Sequence, residues 1–115
     1  MAAILLTSDL MFSSRVAWAG QRVGIAVQTA MGEDALLEKA AAGAEVVILD
    51  LTTAGLDVGR VVPRLRALAQ PPARVVAFGP HVQEAMLAAA QAAGCDAVLA
   101  RGEFNARMEE ILRGA

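Results

Sequence analysis

The sequence of 115 residues lacks many of the side chains on which active sites depend. It has no tyrosine, and His81, Cys95 and Lys39 are each the only residue of their kind. No serine or threonine follows Thr53. These absences exclude an internal disulfide, a cysteine and histidine metal cluster, a Ser-His-Asp triad built from the second half of the chain, and a lysine-dependent step in that half.

Charge and hydropathy exclude further classes of function. The formal net charge is -2, so the chain lacks the positive field that binding to a phosphate backbone needs, and we expect no nucleic acid partner. Alanine supplies much of the 57% hydrophobic content, and no apolar run approaches the roughly 20 residues of a membrane span. The first residues are neither charged enough nor apolar for long enough to be a signal peptide. We therefore expect a cytoplasmic protein without a membrane anchor.

Short apolar runs alternate along the chain with longer stretches of helical spacing. The runs lack polar alternation, which predicts strands buried on both faces in a parallel sheet that helices cover on each side. The length fits one domain, residues 1–115. The predicted strands are Ala3 to Thr7, Ile25 to Thr29, Val46 to Leu49, Val75 to Phe78 and Ala97 to Ala100.

Five helices are expected between and after these strands. In the first, one face carries Phe12, Val16, Ala19 and Val23 and another carries Met11, Arg15, Trp18 and Arg22, which predicts a partly exposed Trp18. The fourth helix is predicted to follow Pro80 and to turn Val82, Ala85, Met86, Ala89 and Ala93 inward, with Leu87, Ala88, Ala90 and Ala92 outside. The others are predicted at about Glu33 to Ala42, Val58 to Leu68 and Glu103 to Leu112.

The carboxyl edge of such a sheet is the expected place for a site. Asp9 and Asp50 follow strands that are neighbours if the strand order is 2-1-3-4-5, so both carboxylates would face one cleft. Paired carboxylates suit a hard cation such as magnesium, although each could instead cap a helix or turn. The edge is predicted to contain Thr7, Ser8, Asp9, Asp50, Leu51, Thr52, Gly79, Pro80, Arg101 and Gly102.

Over its whole length the sequence resembles the response-regulator receiver domain. The segment from Gly32 to Asp57 is similar to the family's second helix, third strand and the loop after the phospho-acceptor aspartate, and Gly94 to Leu99 resembles the turn into its fifth strand. The resemblance implies a flavodoxin-like fold, a (βα)5 three-layer sandwich with a five-stranded parallel sheet in the order 2-1-3-4-5.

The resemblance also implies a phosphotransfer module that is not itself an enzyme. Its partners would be a histidine kinase, a phosphotransfer protein or an output protein. Carried over residue by residue, Asp50 is the phospho-acceptor, and a magnesium ion is held by Asp9, Asp50 and the backbone carbonyl of Thr52.

Several family positions differ in this chain. The acidic pair after the first strand is Ser8-Asp9, so the magnesium site is one carboxylate poorer and should be weakened. The fourth-strand hydroxyl is replaced by Gly79 and the fifth-strand lysine by Arg101. Gly102 replaces the following proline, and Val98 replaces the switch aromatic. Arginine is bulkier and more rigid than lysine, although its fork could still pair with Asp50 or Asp9.

Three hypotheses follow. The leading one is a divergent receiver-like domain that works mainly as a protein interaction module, with weakened or absent phospho-switching. The second is a functional single-domain response regulator phosphorylated on Asp50. The third is a flavodoxin-like binder of a small ligand at the hydroxyls near the first helix, which Asp9 and the lack of a glycine-rich cradle disfavour.

A partner surface is also predicted. The outer face of the fourth helix is unusually apolar for a solvated helix. In receivers, the surface of the fourth helix, fifth strand and fifth helix commonly pairs domains. We therefore expect a homodimer or a partner contact on that surface.

Overall fold

In a computed structural model, which describes residues 2–114, five parallel strands form one sheet in the order β2-β1-β3-β4-β5. This confirms the predicted fold class and strand order. None of the helices within residues 2–114 is long and apolar enough to cross a membrane. The strands are β1 (Ala2–Leu6), β2 (Ala26–Ala30), β3 (Val46–Asp50), β4 (Arg74–Gly79) and β5 (Ala97–Ala100).

Six helices connect or follow the strands in the part of the chain that the structure describes. Asp9 and Asp57 each cap a helix with the side chain, and Gly24 and Gly94 end helices in the left-handed conformation that glycine adopts readily. The helices are α1 (Leu10–Val23), α2 (Glu33–Ala41), α3 (Val58–Arg66), α4 (Glu84–Ala93), α5 (Arg101–Ala106) and α6 (Met108–Leu112).

The sheet separates two apolar cores. On one face the side chains of β1, β3 and β4 pack against α1, α5 and α6, and the three phenylalanines Phe12, Phe78 and Phe104 lie in this core. On the other face the alternate residues of the same strands pack against α2, α3 and α4. The middle strands are therefore buried on both faces, as the uninterrupted apolar runs predict.

The edge strand β2 differs from that prediction. Its burial alternates, with Ala26 and Gln28 exposed and only Ala30 fully buried. The expectation that all five strands are buried on both faces is wrong for β2. In the other edge strand, β5, only Leu99 is buried, so the expectation fails there too.

The prediction for the fourth helix is also partly wrong. The chain turns between Pro80 and Gln83 before α4 starts at Glu84, so Val82 stays 73% exposed. Ala90 is fully buried, whereas Ala85 and Ala89 are exposed. The inward residues are Met86, Leu87, Ala90 and Ala93. A run of alanines offers almost no contrast in hydropathy from which to assign the inward face.

The last helix is interrupted where a continuous one was expected. Arg107 leaves helical geometry with φ -113° and ψ 17°, and its N–H is shared between the carbonyls of Glu103 and Phe104. Phe104, Met108, Ile111 and Leu112 are all buried, as predicted. The break therefore changes the path of the backbone but not which side chains fill the core.

Candidate functional site

Asp50 is the last residue of β3 and its carboxylate lies at the carboxyl edge of the sheet. The residue is only 2% exposed. A buried carboxylate is costly unless hydrogen bonds compensate for the water it has lost. The partners of Asp50 therefore determine what this site can do.

Two threonines provide those partners. Thr7 donates its hydroxyl to Oδ2 of Asp50 at 2.7 Å. Thr52 donates its hydroxyl to Oδ1 at 2.6 Å and its backbone N–H to the same oxygen at 3.0 Å. Both oxygens of Asp50 thus accept hydrogen bonds from the chain itself. Thr52, whose carbonyl was predicted to bind a metal, contributes its N–H and its hydroxyl to these bonds.

Thr7 is the member of the site to which sequence reasoning gave no role beside Asp50. In the pairing of β1 with β3, Leu6 lies opposite Leu49, so the next residue along each strand places Thr7 beside Asp50. Thr7 is fully buried. The sequence predicted that these two strands are neighbours, and the contact could have been found from that prediction.

Asp9 takes the capping role that was left open as an alternative. Its Oδ1 accepts a hydrogen bond from the N–H of Phe12 at 3.1 Å and so caps α1. Its own N–H donates to the hydroxyl oxygen of Thr7 at 3.1 Å. Thr7 consequently links the backbone of Asp9 to the carboxylate of Asp50.

Arg101 is the first residue of α5 and pairs with Asp9 across the carboxyl edge, with 3.5 Å between Nη2 and Oδ2. Its guanidinium lies 4.6 Å from the ring centroid of Phe12 and 5.9 Å from that of Phe78. A guanidinium over an aromatic face is attracted by the ring and contributes about 0.5–1 kcal/mol at an accessible site. Arg101 is therefore positioned by two different interactions.

The site thus divides into two sets of contacts. Asp9 and Arg101 form an accessible ion pair, while Asp50 and Thr52 form a hydrogen-bonded turn, and Thr7 connects the two sets. Within residues 2–114 no hydrogen bond or ion pair joins Arg101 to Asp50. The same part of the chain holds no group of three or more histidine, cysteine, aspartate or glutamate side chains that could bind a metal.

Gly79 ends β4 one residue beyond Phe78, which lies opposite Asp50 in the sheet. A Cβ could be accommodated at this glycine. A Cβ there would lie 3.4 Å from Sδ of Met86 and 3.5 Å from Cβ of Leu51, both van der Waals distances. The absence of a fourth-strand hydroxyl is therefore not imposed by a steric conflict.

Other candidate groups lie outside this arrangement. His81 is exposed in the turn before α4, and Cys95 is buried before β5. Burial raises the pKa of the Cys95 thiol to about 11, so the thiol is protonated at neutral pH and belongs to the core.

A cavity at the carboxyl edge, lined in part by Leu6, Glu33 and Thr53, has a volume of about 120 Å³. It is smaller than the sites that usually hold organic cofactors.

The fold has many counterparts among solved structures. The signal receiver domain of the response regulator NarL from Mycobacterium tuberculosis superposes with a TM-score of 0.79 at 20% identity, over 98% of this chain and 93% of that one. A phosphorylated response regulator from Burkholderia pseudomallei, with calcium and citrate, gives 0.74 at 22% identity, over 98% and 71%.

A third counterpart contains magnesium. The receiver domain of the sensor histidine kinase PA1611 from Pseudomonas aeruginosa PAO1, with a magnesium ion in its active site cleft, gives a TM-score of 0.79 at 15% identity, over 98% of this chain and 94% of that one. No family model and no curated protein matches the chain. The structures show that the chain has the fold of response-regulator receiver domains, as the sequence resemblance implies.

Proposed function

We propose that this chain is a divergent receiver-like signalling domain that works mainly as a protein interaction module, with weakened or absent phospho-switching. The supporting observation is the state of Asp50. Both of its carboxylate oxygens accept hydrogen bonds from Thr7 and Thr52. The side chain that would attack a phosphodonor thus already accepts internal hydrogen bonds on both of its oxygens.

The hydrogen bonds to Asp50 make its carboxylate a weaker nucleophile. Each hydrogen bond to a charged group is worth about 1.5–3 kcal/mol, and part of that stabilisation is lost as the negative charge is drawn into a bond to phosphorus. A phosphoryl group would also need new donors for its oxygens. Gly79 has no side chain to donate, and the guanidinium of Arg101 is held by Asp9 and the Phe12 ring.

The residues present fit a magnesium ion poorly. Magnesium requires near-octahedral oxygen coordination and is usually bound through one or two carboxylates that face a hydrated space. Here Oδ1 of Asp9 caps α1, Oδ2 faces a guanidinium, and the Asp50 oxygens are engaged by hydroxyls. The positive charge of Arg101 would repel a second cation near Asp9. This arrangement supports the proposal of a weak or absent magnesium site.

The proposed partner surface consists of α4, β5 and α5. The outer side of α4 exposes Ala85, Ala88, Ala89 and Ala92, so a partner could approach the helix closely without displacing long side chains. We propose that a kinase, phosphotransfer or output protein meets this surface. Its binding would not depend on Asp50, because Asp50 is buried at the carboxyl edge.

The experiment is incubation with acetyl phosphate and magnesium, followed by measurement of the intact mass. We expect no stoichiometric phosphoryl adduct on the wild-type chain and the same result for Asp50→Asn. A stoichiometric adduct that disappears in Asp50→Asn would instead support the working response regulator. An adduct that persists in Asp50→Asn would come from another residue and would leave the proposal standing.

A further inference from the structure

The two oxygens of the Asp50 carboxylate are held in different ways. Oδ1 accepts both the N–H and the hydroxyl of Thr52, which lies two residues further along the same turn. Oδ2 accepts a single hydrogen bond in the described part of the chain, from the hydroxyl of Thr7. Thr7 directly follows β1 and lies 43 residues before Asp50 in the sequence. The environment of Oδ2 therefore depends on a contact between two strand ends, whereas that of Oδ1 is local.

The hydroxyl of Thr7 is confined to this contact. Thr7 is fully buried, and its Oγ1 accepts the N–H of Asp9 at 3.1 Å while its proton points to Oδ2 at 2.7 Å. A hydroxyl has one proton to donate, and a β-branched side chain is restricted at χ1. Turning the proton away from Asp50 would leave a buried donor without an acceptor, which is unfavourable. The hydrogen bond to Oδ2 is thus maintained for as long as this part of the fold stays closed.

We propose that Thr7 inhibits phosphoryl transfer to Asp50, because it keeps a hydrogen bond on the carboxylate oxygen that has the fewest donors. This rests on the proposed function, to which it adds the contact that keeps Asp50 unreactive. Gly79 and Arg101 differ from the receiver pattern because they lack groups that would assist a phosphoryl group. Thr7 is different in kind, since it adds a group that stabilises the carboxylate before any transfer takes place.

The chemistry of the suppressed step explains the inhibition. An oxygen of Asp50 attacks the phosphorus of an acyl phosphate, a new O–P bond forms, and the bond between phosphorus and the acyl oxygen breaks as the leaving carboxylate takes the electron pair. No proton is transferred. Negative charge leaves Asp50 during this step, and a hydrogen bond to a charged oxygen is stronger than one to a neutral oxygen. The Thr7 hydrogen bond therefore stabilises the ground state more than the transition state, which slows the reaction.

The initial rate of labelling by radiolabelled acetyl phosphate, with magnesium present throughout, tests this role of Thr7. Radioactivity detects labelled fractions far below stoichiometry, so the slow wild-type rate is measurable. Thr7→Val keeps the shape of the side chain and removes the donor. Loss of about half of one hydrogen bond to a charged oxygen in the transition state corresponds to a rate ratio of about 4 to 12, so we expect Thr7→Val to be labelled about 4- to 12-fold faster than wild type.

Three further variants separate the hydrogen bond from other effects. Thr7→Ser retains a hydroxyl and should restore the slow rate. Gly20→Ala should destabilise the fold away from the site, because a Cβ there overlaps the carbonyl oxygen of Ile25, and its labelling rate should match wild type. Thr7→Val combined with Asp50→Asn should take up no label. Circular dichroism verifies folding, and if Thr7→Val does not fold, Thr7→Cys replaces it because a thiol is only a weak donor.

Several results would overturn the role assigned to Thr7. One is an equal rate for wild type and Thr7→Val, including no detectable label on either. Another is a Gly20→Ala variant that gains as much as Thr7→Val, which would attribute the gain to destabilisation. A third is label that persists when Asp50 is replaced. Failure of the proposed function looks different, since wild type would then be labelled to stoichiometry on Asp50, and the ratio of Thr7→Val to wild type would still decide the role of Thr7.

Discussion

The hydroxyl of Thr7 donates to the carboxylate of Asp50 at 2.7 Å, and the same hydroxyl oxygen accepts the N–H of Asp9. One buried side chain thus connects the ends of β1 and β3. Thr7→Val keeps the shape but leaves Oδ2 of Asp50 without its donor. We expect the free energy of unfolding to fall by about 1.5–3 kcal/mol, measured by urea denaturation.

Thr29→Val on β2 is the matched control. Thr29 is half-buried and its hydroxyl has no side-chain hydrogen bond within residues 2–114. The same substitution there should change stability little. Equal losses for the two variants would show that the Thr7 hydrogen bond is not what stabilises the buried Asp50.

Gly79 offers a gain-of-function test. A Cβ fits at this position, so Gly79→Ser combined with Arg101→Lys restores the hydroxyl and the flexible amine that the receiver resemblance implies. One added hydrogen bond to a charged oxygen should speed phosphorylation from acetyl phosphate by about 10- to 100-fold relative to the chain with Gly79→Ala and Arg101→Lys. Intact mass against time gives both rates. Identical rates would mean that the missing hydroxyl does not limit the reaction.

Because Arg101 pairs with Asp9, we expect magnesium not to stabilise the wild-type chain. In the wild-type chain its guanidinium already neutralises Asp9, so the Tm should be the same in magnesium and potassium salts of equal ionic strength. Arg101→Gln frees the Asp9 carboxylate, and magnesium should then raise the Tm. Arg107→Gln removes an arginine paired with Glu103 and Glu110 away from the site and should remain insensitive to magnesium. A wild-type Tm that rises with magnesium would contradict the proposed role of Arg101.

Gly20 allows α1 to approach the start of β2. A Cβ at Gly20 would lie 2.5 Å from the carbonyl oxygen of Ile25 and 2.7 Å from Cγ2 of Val27, which is too close for either group. Gly20→Ala should therefore destabilise the fold by about 1–3 kcal/mol. Gly102→Ala meets no atom within 4 Å and should stabilise α5 by about 0.4–1 kcal/mol. Thermal unfolding of the two variants compares the same added methyl group in two environments.

The lowered pKa of Asp96 predicts how the free energy of unfolding depends on pH in the acidic range. Burial alone would raise its pKa, but hydrogen bonds from the Val75 N–H and from Arg66 outweigh this effect and hold the pKa below its usual value. A carboxyl with a lowered folded-state pKa stabilises the fold above its unfolded pKa of about 3.9. That stabilisation is lost as pH falls through the folded pKa.

Urea denaturation between about pH 6 and pH 3 measures this contribution. Asp96→Asn should flatten the loss of stability at the acid end. Glu38→Gln, at an exposed carboxylate of α2 without an ion-pair partner in the described part of the chain, should leave the slope unchanged. The same slope for wild type and Asp96→Asn would assign the acid sensitivity to other groups.

The sequence predicted the sheet because β1 is apolar throughout, and β3 and β4 carry a charged residue only at one end, Asp50 and Arg74. It could not orient α4, since alanines contribute nearly equal hydropathy on every side of a helix. The break at Arg107 was also missed, because the apolar spacing of Phe104, Met108 and Ile111 fits one continuous helix.

At the candidate site, topology was more predictable than side-chain contacts. The sequence placed Asp9, Asp50 and Arg101 at one edge, which follows from strand order alone. It left open whether Arg101 pairs with Asp9 or Asp50. In the structure the guanidinium pairs with Asp9 and lies 4.6 Å from the centroid of the Phe12 ring, and both contacts join residues far apart in the chain.

The sheet ends in two strands that carry no charge. β2 reads Ala-Val-Gln-Thr-Ala and β5 reads Ala-Val-Leu-Ala, and neither has the lysine or proline with which proteins commonly block pairing at a sheet edge. Their short lengths, 5 and 4 residues, are their main protection against pairing with a strand of another chain. Aggregation by addition of a strand at these edges is therefore the failure to expect in destabilised variants.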